Sequence, residues 1–104
     1  MAANYEAIRQ EAICYANDAR RELLVERVFL FGSYANGDAD ELSDVDVAFF
    51  IQDFGGKTRF DTGLVLLRLT HGYKAYFEPL VFSTSEITRG NPFVNEILST
   101  GIEI

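Results

Sequence analysis

Three acidic residues in this 104-residue chain have the types and spacing that suit the binding of hard cations. Asp44 and Asp46 open the hydrophobic run 45–51, and Glu78 interrupts a second hydrophobic run at 74–82. Residues i and i+2 of a strand point the same way, with Cα atoms roughly 6.6 Å apart. Two carboxylates placed in this way can bind Mg²⁺ together with substrate phosphates, which suggests phosphoryl-type transfer.

Gly32 and Ser33 form a small polar turn after the hydrophobic run 28–31, and ten residues separate Ser33 from Asp44. Because glycine has no Cβ, a phosphate can approach the Gly32 backbone closely. Ser33 offers both a hydroxyl and an N–H to an anion, and it can begin a short helix whose first N–H groups lie near that anion. Gly37 then lets the chain fold back, so that the aspartates face Ser33. The pattern predicts a phosphate site beside a metal site.

Glu78 and Ser43 each have two interpretations. An unpaired charge is costly to bury in an apolar strand, so Glu78 is either a third metal ligand or a residue that strand alternation directs to solvent. Two bound metal ions commonly need a third carboxylate, which favours the ligand. Ser43 either orients Asp44 through a local side-chain hydrogen bond or is an ordinary turn residue.

The elements that must position these residues alternate between helix and strand, which predicts a single α/β domain over 1–104, with helices packed on a small mixed sheet. The run 45–51 is apolar almost without a break, so this strand is expected to be central and covered on both faces. The predicted helices cover 4–24, a short turn from Ser33, 58–70 and 92–98, and Asn91 is the predicted N-cap of the last helix. The predicted strands cover 28–31, 45–51 and 74–82.

The charge balance excludes one class of function. Nine Lys and Arg residues stand against sixteen acids, giving a net charge of -7, whereas stable binding to nucleic acid depends on cations that displace counterions from phosphates. No apolar stretch approaches the roughly 20 residues that span a membrane, and no signal segment opens the chain. The chain contains one cysteine, so an internal disulfide is impossible. These features predict a cytoplasmic protein.

The spacing of residues 32–33 and 44–46 resembles a known signature: Gly-Ser, ten residues, then Asp-x-Asp, as in the nucleotidyltransferase superfamily that includes DNA polymerase β. The short chain is similar to the minimal nucleotidyltransferases of that superfamily, which pair with HEPN-domain proteins in bacterial and archaeal toxin–antitoxin systems. The resemblance is strong over 28–51 and looser at 78–79 and 97–102.

The resemblance implies a polymerase β-like nucleotidyltransferase fold and a role for each candidate residue. Gly32 and Ser33, with Ser43 beside them, would bind the triphosphate of ATP, while Asp44 and Asp46 would bind two Mg²⁺ ions. Glu78 would complete one metal site and could assist the acceptor hydroxyl. The family further implies transfer of AMP to a hydroxyl, expected to be a tyrosine, of a HEPN toxin. The chain would then act as an antitoxin within a homo- or hetero-oligomer.

One departure from the family pattern concerns positive charge. Many relatives carry Arg or Lys at the positions of Tyr34 and Asn36, which are neutral here. The residues considered as replacement cations are Lys57, Arg59 and Arg68. Tyr34 is expected to contact nucleotide or a partner, or simply to be exposed.

Two rival functions stay open at this point. The first is a non-catalytic antitoxin that neutralises its HEPN partner by occlusion, with a degenerate transferase site. The second is a small-molecule nucleotidyltransferase of the aminoglycoside-modifying type. Enzymes of that type generally need an additional domain to build the acceptor pocket.

Overall fold

A computed structural model of the chain describes residues 5–37 and 44–104. The described helices are α1 (Tyr5–Glu22), α2 (Ser33–Asn36), α3 (Arg59–Leu69), α4 (Ser85–Thr88) and α5 (Pro92–Thr100). The described strands are β1 (Val25–Phe31), β2 (Val45–Ile51), β3 (Phe77–Ser83) and β4 (Ile102–Glu103). They form one sheet in the order β3-β2-β1-β4. The predicted α/β class with a mixed sheet is confirmed.

Local sequence signals account for the helix boundaries. The Thr58 hydroxyl accepts a hydrogen bond of 3.0 Å from the Asp61 N–H, which fixes the start of α3. Asn91 caps α5 in the same way by accepting from the Phe93 N–H, and Pro92 occupies the first helical position, as its fixed φ favours. The predicted cap at the start of α5 is therefore confirmed.

Strand pairing brings the candidate site together at one end of the sheet. β1 runs antiparallel to β2, and β2 runs parallel to β3. The carboxyl end of β1 and the amino ends of β2 and β3 consequently meet, with Phe31 beside Asp46 and Asp46 beside Glu78. We call this the carboxylate end, and the other end, where Val25 lies beside Ile51 and Ile51 beside Ser83, the opposite end.

Apolar layers cover both faces of the sheet. The face that packs on α1 and α3 carries Val28, Leu30, Val45, Val47, Phe49 and Ile51. The other face carries Phe29, Phe31, Ala48, Phe50 and Phe82 and packs on Val94 and Ile97 of α5. The expectation that β2 is central and covered on both faces is therefore confirmed. By strand alternation, Asp46 belongs to the α5 face, with Ala48 and Phe50.

The structure corrects the predicted bounds of β3 and adds a short strand. β3 begins at Phe77 because the Lys74 and Ala75 N–H groups donate to the Glu11 carboxylate instead of joining the sheet. The two-residue β4, which no sequence pattern predicts, pairs with Phe29 and Leu30 of β1. Among the described helices, none combines the length and apolarity needed to cross a membrane.

Candidate active site

Gly32 brings the polar turn and the Asp46 carboxylate into contact. It follows β1 with φ +72°, a conformation that L side chains rarely adopt. An ideal Cβ at this position would lie far inside van der Waals contact of Asp46 Oδ2. Glycine is therefore required here both for its backbone conformation and for the space that the carboxylate occupies.

Asp46 and Glu78 are register neighbours on the parallel strands β2 and β3. Alternation directs both side chains to the α5 face, and adjacent strands lie only about 4.8 Å apart. Burial raises the pKa of the half-buried Asp46, and the negative charges of Glu78 and Asp44, together with a side-chain hydrogen bond to Glu78, raise it further. Asp44 and Glu78 therefore both lie close enough to Asp46 to disfavour its charged form.

Asp44 and Glu78 line an open cleft of about 400 Å³ at the carboxylate end. The turn between α3 and β3 supplies the rest of its wall, including His71, Lys74 and Tyr76. His71 was not predicted to lie beside the carboxylates. The position of Lys74 in this cleft was not predicted either, although Lys74 precedes Glu78 by only four residues.

Ser33 is the first residue of α2, so the predicted short helix is confirmed. The Ala35 and Asn36 N–H groups both donate to the Gly32 carbonyl over 3.1 Å, which holds this turn against the end of β1. Ser33 therefore lies directly beside the contact between Gly32 and Asp46. Ser43, the other nucleotide-binding candidate, lies outside the described residues.

Tyr34 and Asn36 differ sharply in their surroundings. Tyr34 is only 5% exposed and packs edge-to-face on Tyr5, with 5.5 Å between ring centroids. The expectation that it is exposed is wrong, because α2 turns this side chain into the core beneath α1. Asn36 is exposed and lies close to Gly32.

The candidate replacement cations lie elsewhere. Arg59 pairs with Glu86 at the opposite end over 2.9 Å, and Arg68 pairs with Glu22 over 2.5 Å. Lys57 lines a separate pocket together with Leu24. Leu24 lies at the opposite end, because its carbonyl accepts a hydrogen bond from the Gln52 N–H just beyond β2. None of the three cations lines the pocket beside Gly32 or the cleft beside Glu78, whereas Lys74 lines that cleft.

The donor set suits a divalent metal ion in its chemistry. Carboxylate oxygens are the ligands that Mg²⁺ prefers, and the mutual repulsion of these carboxylates is what a cation would relieve. Over residues 5–37 and 44–104, no three His, Cys, Asp or Glu side chains are grouped closely enough to hold a metal ion. Metal binding would therefore require Asp44 and Glu78 to close on the ion beside Asp46.

Comparisons with known proteins agree with this geometry. The family model described as "Nucleotidyltransferase domain" matches residues 13–87, which include the Gly-Ser turn and all three carboxylates. The chain belongs to this nucleotidyltransferase domain family. Domains of the family generally use nucleoside triphosphates and divalent metal ions.

Two individual proteins are similar to this chain. A Methanocaldococcus jannaschii protein described as a putative protein adenylyltransferase is 32% identical over 77% of this chain and 79% of its own length. A crystal structure of a putative nucleotidyltransferase from Sulfolobus solfataricus superposes with a TM-score of 0.67 at 22% identity, covering 82% of this chain and 75% of that one. The structural likeness supports the fold, and the curated relative supports the family.

Proposed function

We propose that this protein is a Mg²⁺-dependent nucleotidyltransferase that transfers AMP from ATP to a hydroxyl group of a protein. The observation that carries the proposal is the row formed by Gly32 just after β1, Asp46 on β2 and Glu78 on β3, at one end of the sheet. A phosphate-binding turn in contact with a carboxylate pair is the arrangement that nucleotidyl transfer needs. The description of the M. jannaschii relative favours a protein acceptor.

Each residue of the candidate site has a distinct role in this proposal. The backbone of Gly32 and Ser33 binds the β- and γ-phosphates, while Asp44 and Asp46 hold two Mg²⁺ ions and Glu78 completes one of the two sites. The ions, when bound, neutralise charge that develops on the phosphates. The protein itself contributes mainly positioning, because the turn and the carboxylates are fixed on neighbouring strands.

The order of the row also indicates where the acceptor enters. In an in-line displacement the attacking oxygen and the leaving group lie on opposite sides of the α-phosphorus. With pyrophosphate leaving at Gly32, the hydroxyl approaches from the Glu78 side, where the cleft of about 400 Å³ opens. The hydroxyl oxygen bonds to the α-phosphorus, the bond to the bridging oxygen of pyrophosphate breaks, and Glu78 can take the hydroxyl proton.

For the acceptor we propose a tyrosine of a HEPN-domain toxin, whose modification would make this chain an antitoxin. The proposal rests on the similarity of the motif to that of minimal nucleotidyltransferases. The net charge of -7 is compatible with a basic protein partner.

The test measures the intact mass of a co-expressed HEPN partner after incubation with this protein, ATP and Mg²⁺. We expect the partner to gain one or more AMP units. The double variant Asp44→Asn/Asp46→Asn should lower the transfer rate by about a thousandfold or more, since several kcal/mol of charge stabilisation are lost. A matched control is Asp53→Asn/Asp61→Asn, which removes two exposed carboxylates outside the row and should transfer normally. Undiminished transfer by the Asp44/Asp46 variant would overturn the mechanism.

A second candidate is an antitoxin that binds its partner without modifying it. The observation that favours it is the neutral phosphate turn, in which Tyr34 is buried and Asn36 is uncharged. Arg59, a candidate replacement cation, is instead paired with Glu86 at the opposite end. In that case the partner's mass stays unchanged, and the Asp44/Asp46 variant protects cells from the toxin as well as the wild type does.

A further inference from the structure

A second pocket adjoins the phosphate turn on the side away from the acceptor cleft. It has a volume of about 270 Å³ and lies between the end of β1, the turn and the exposed side of α5. The residues that shape it are Phe31, Gly32, Asn36, Phe93, Glu96 and Thr100. Because Gly32 belongs to both, the pocket is continuous with the proposed phosphate site.

The wall of this pocket contains an aromatic ring that is held in place yet half open. Phe93 packs edge-to-face on Phe31 and on Phe82, with ring centroids 6.0 Å apart in both pairs. It nevertheless remains 49% exposed. Phe31 and Phe82 belong to the core, so they fix the ring while part of its surface stays accessible. A flat aromatic ligand can stack on such a ring at little cost in conformational entropy.

The rim of the pocket is polar and carries no cation among its described residues. Asn36 offers an amide at one side, and Glu96 an exposed carboxylate at the other. The Thr100 hydroxyl donates to the Glu96 carbonyl over 2.8 Å, which ties it to the helix while its oxygen can still accept. A carboxylate repels phosphate but accepts readily from an amino group, so this pocket suits an uncharged base rather than a second phosphate.

We propose that this pocket binds the base of the nucleoside triphosphate, with the ring stacked on Phe93 and an exocyclic amino group facing Glu96. The inference rests on the proposed function, because it takes the triphosphate held at Gly32 and Ser33 as the anchor, and the nucleoside is attached to the α-phosphate of that triphosphate. The two cavities beside the row then divide the substrates by chemistry. The aromatic pocket takes the base, and the cleft with Lys74 and His71 takes the acceptor.

Titration calorimetry with ATP and with tripolyphosphate, both in Mg²⁺, tests this assignment. The wild type should bind ATP more tightly than tripolyphosphate, and it should bind ATP more tightly than inosine triphosphate, which lacks the exocyclic amino group. Phe93→Ala should weaken ATP binding by about tenfold or more, the usual effect of losing a stacking ring, and leave tripolyphosphate binding unchanged. Phe93→Leu, which preserves helix packing better, should show the same selective loss.

The matched control is Phe60→Ala, which removes a 72% exposed ring on α3 and should leave the affinity for both ligands unchanged. Equal losses for ATP and tripolyphosphate in folded Phe93 variants, or no loss for either, would overturn the base pocket while leaving the phosphate site standing. Failure of the wild type to bind either ligand would instead overturn the proposed function, and the base pocket with it.

Discussion

The carboxylates at the two ends of the sheet differ in their hydrogen-bond and ion-pair partners. At the opposite end, the largely buried Glu86 accepts from the Ser83 N–H over 2.8 Å and from the Arg59 guanidinium over 2.9 Å. At the carboxylate end, none of the ion pairs between described residues involves Asp44, Asp46 or Glu78. One end therefore satisfies its negative charge internally, whereas the other gathers three carboxylates beside a glycine turn.

The difference distinguishes a structural site from a site that a cation from outside the chain could occupy. A carboxylate with two donors stabilises the fold, because its lone pairs are used and its charge is balanced. A carboxylate whose pKa is raised by burial and by neighbouring negative charges, as that of Asp46 is, reduces stability unless a cation from outside the chain joins it. The comparison yields three further predictions, because each end can be altered without touching the other.

The largest effect is expected from Gly32→Ala at the carboxylate end. The new Cβ would require a strained backbone and would displace the Asp46 carboxylate, so the free energy of unfolding should fall by about 2–3 kcal/mol. AMP transfer should fall at least about a hundredfold, the usual result of displacing a reacting group by 1 Å. Urea denaturation and the intact-mass assay measure the two losses.

Gly37→Ala is the control for that variant. Gly37 has a similar φ of +79°, but a Cβ there would meet nothing within 4 Å. It should therefore show the backbone strain, about 1 kcal/mol, without the loss of transfer. If both alanine variants lost transfer equally, the contact between Gly32 and Asp46 would have no special role.

An effect of intermediate size, on stability alone, is expected from Glu86→Ala at the opposite end. The variant leaves the buried Ser83 N–H without its acceptor, which should lower the free energy of unfolding by about 1–3 kcal/mol. AMP transfer by the folded protein should not change, because Ser83 lies about 16 Å along β3 from Glu78. Glu86→Gln, whose amide oxygen can still accept from Ser83, should be milder; a loss of transfer in either variant would show that the two ends are coupled.

The sequence was sufficient to predict the features that depend on local pattern. The bounds of β2, the cap at Asn91 and the Gly-Ser turn followed from spacing and residue type. Glu78 was selected because a charge within an apolar strand needs a reason, and the register places it beside Asp46. The register itself could not be predicted, since it depends on which strands become neighbours.

What the sequence did not predict depends on contacts between distant segments. Tyr34 is buried because α2 turns it toward Tyr5, 29 positions earlier in the chain. β3 starts late because Glu11 of α1 accepts from the Lys74 N–H, and the same turn places Lys74 in the cleft. The two-residue β4 is too short to produce a periodic pattern and forms only because β1 offers it an edge.

The smallest effect is a pH-dependent gain in stability from Asp46→Asn. The folded pKa of Asp46 is raised above its ordinary value of 3.8, so the native state binds more protons than the unfolded state between the two values, and stability falls as the pH rises through that range. Asparagine cannot ionise. The variant should therefore be more stable than the wild type at neutral pH, by about 1 kcal/mol or less because the half-exposed group is screened by solvent.

That advantage should shrink as the pH falls and disappear below 3.8, where the wild-type carboxyl is protonated in both states. Urea denaturation at neutral pH and at about pH 3 measures the difference, with Asp53→Asn as the control for an exposed carboxylate outside the row. Added Mg²⁺ should reduce the advantage at neutral pH, because the cation stabilises the wild-type carboxylates and has lost a ligand in the variant. A variant that is less stable than the wild type at neutral pH without Mg²⁺ would show that the carboxylate end, like the opposite end, is already balanced within the fold.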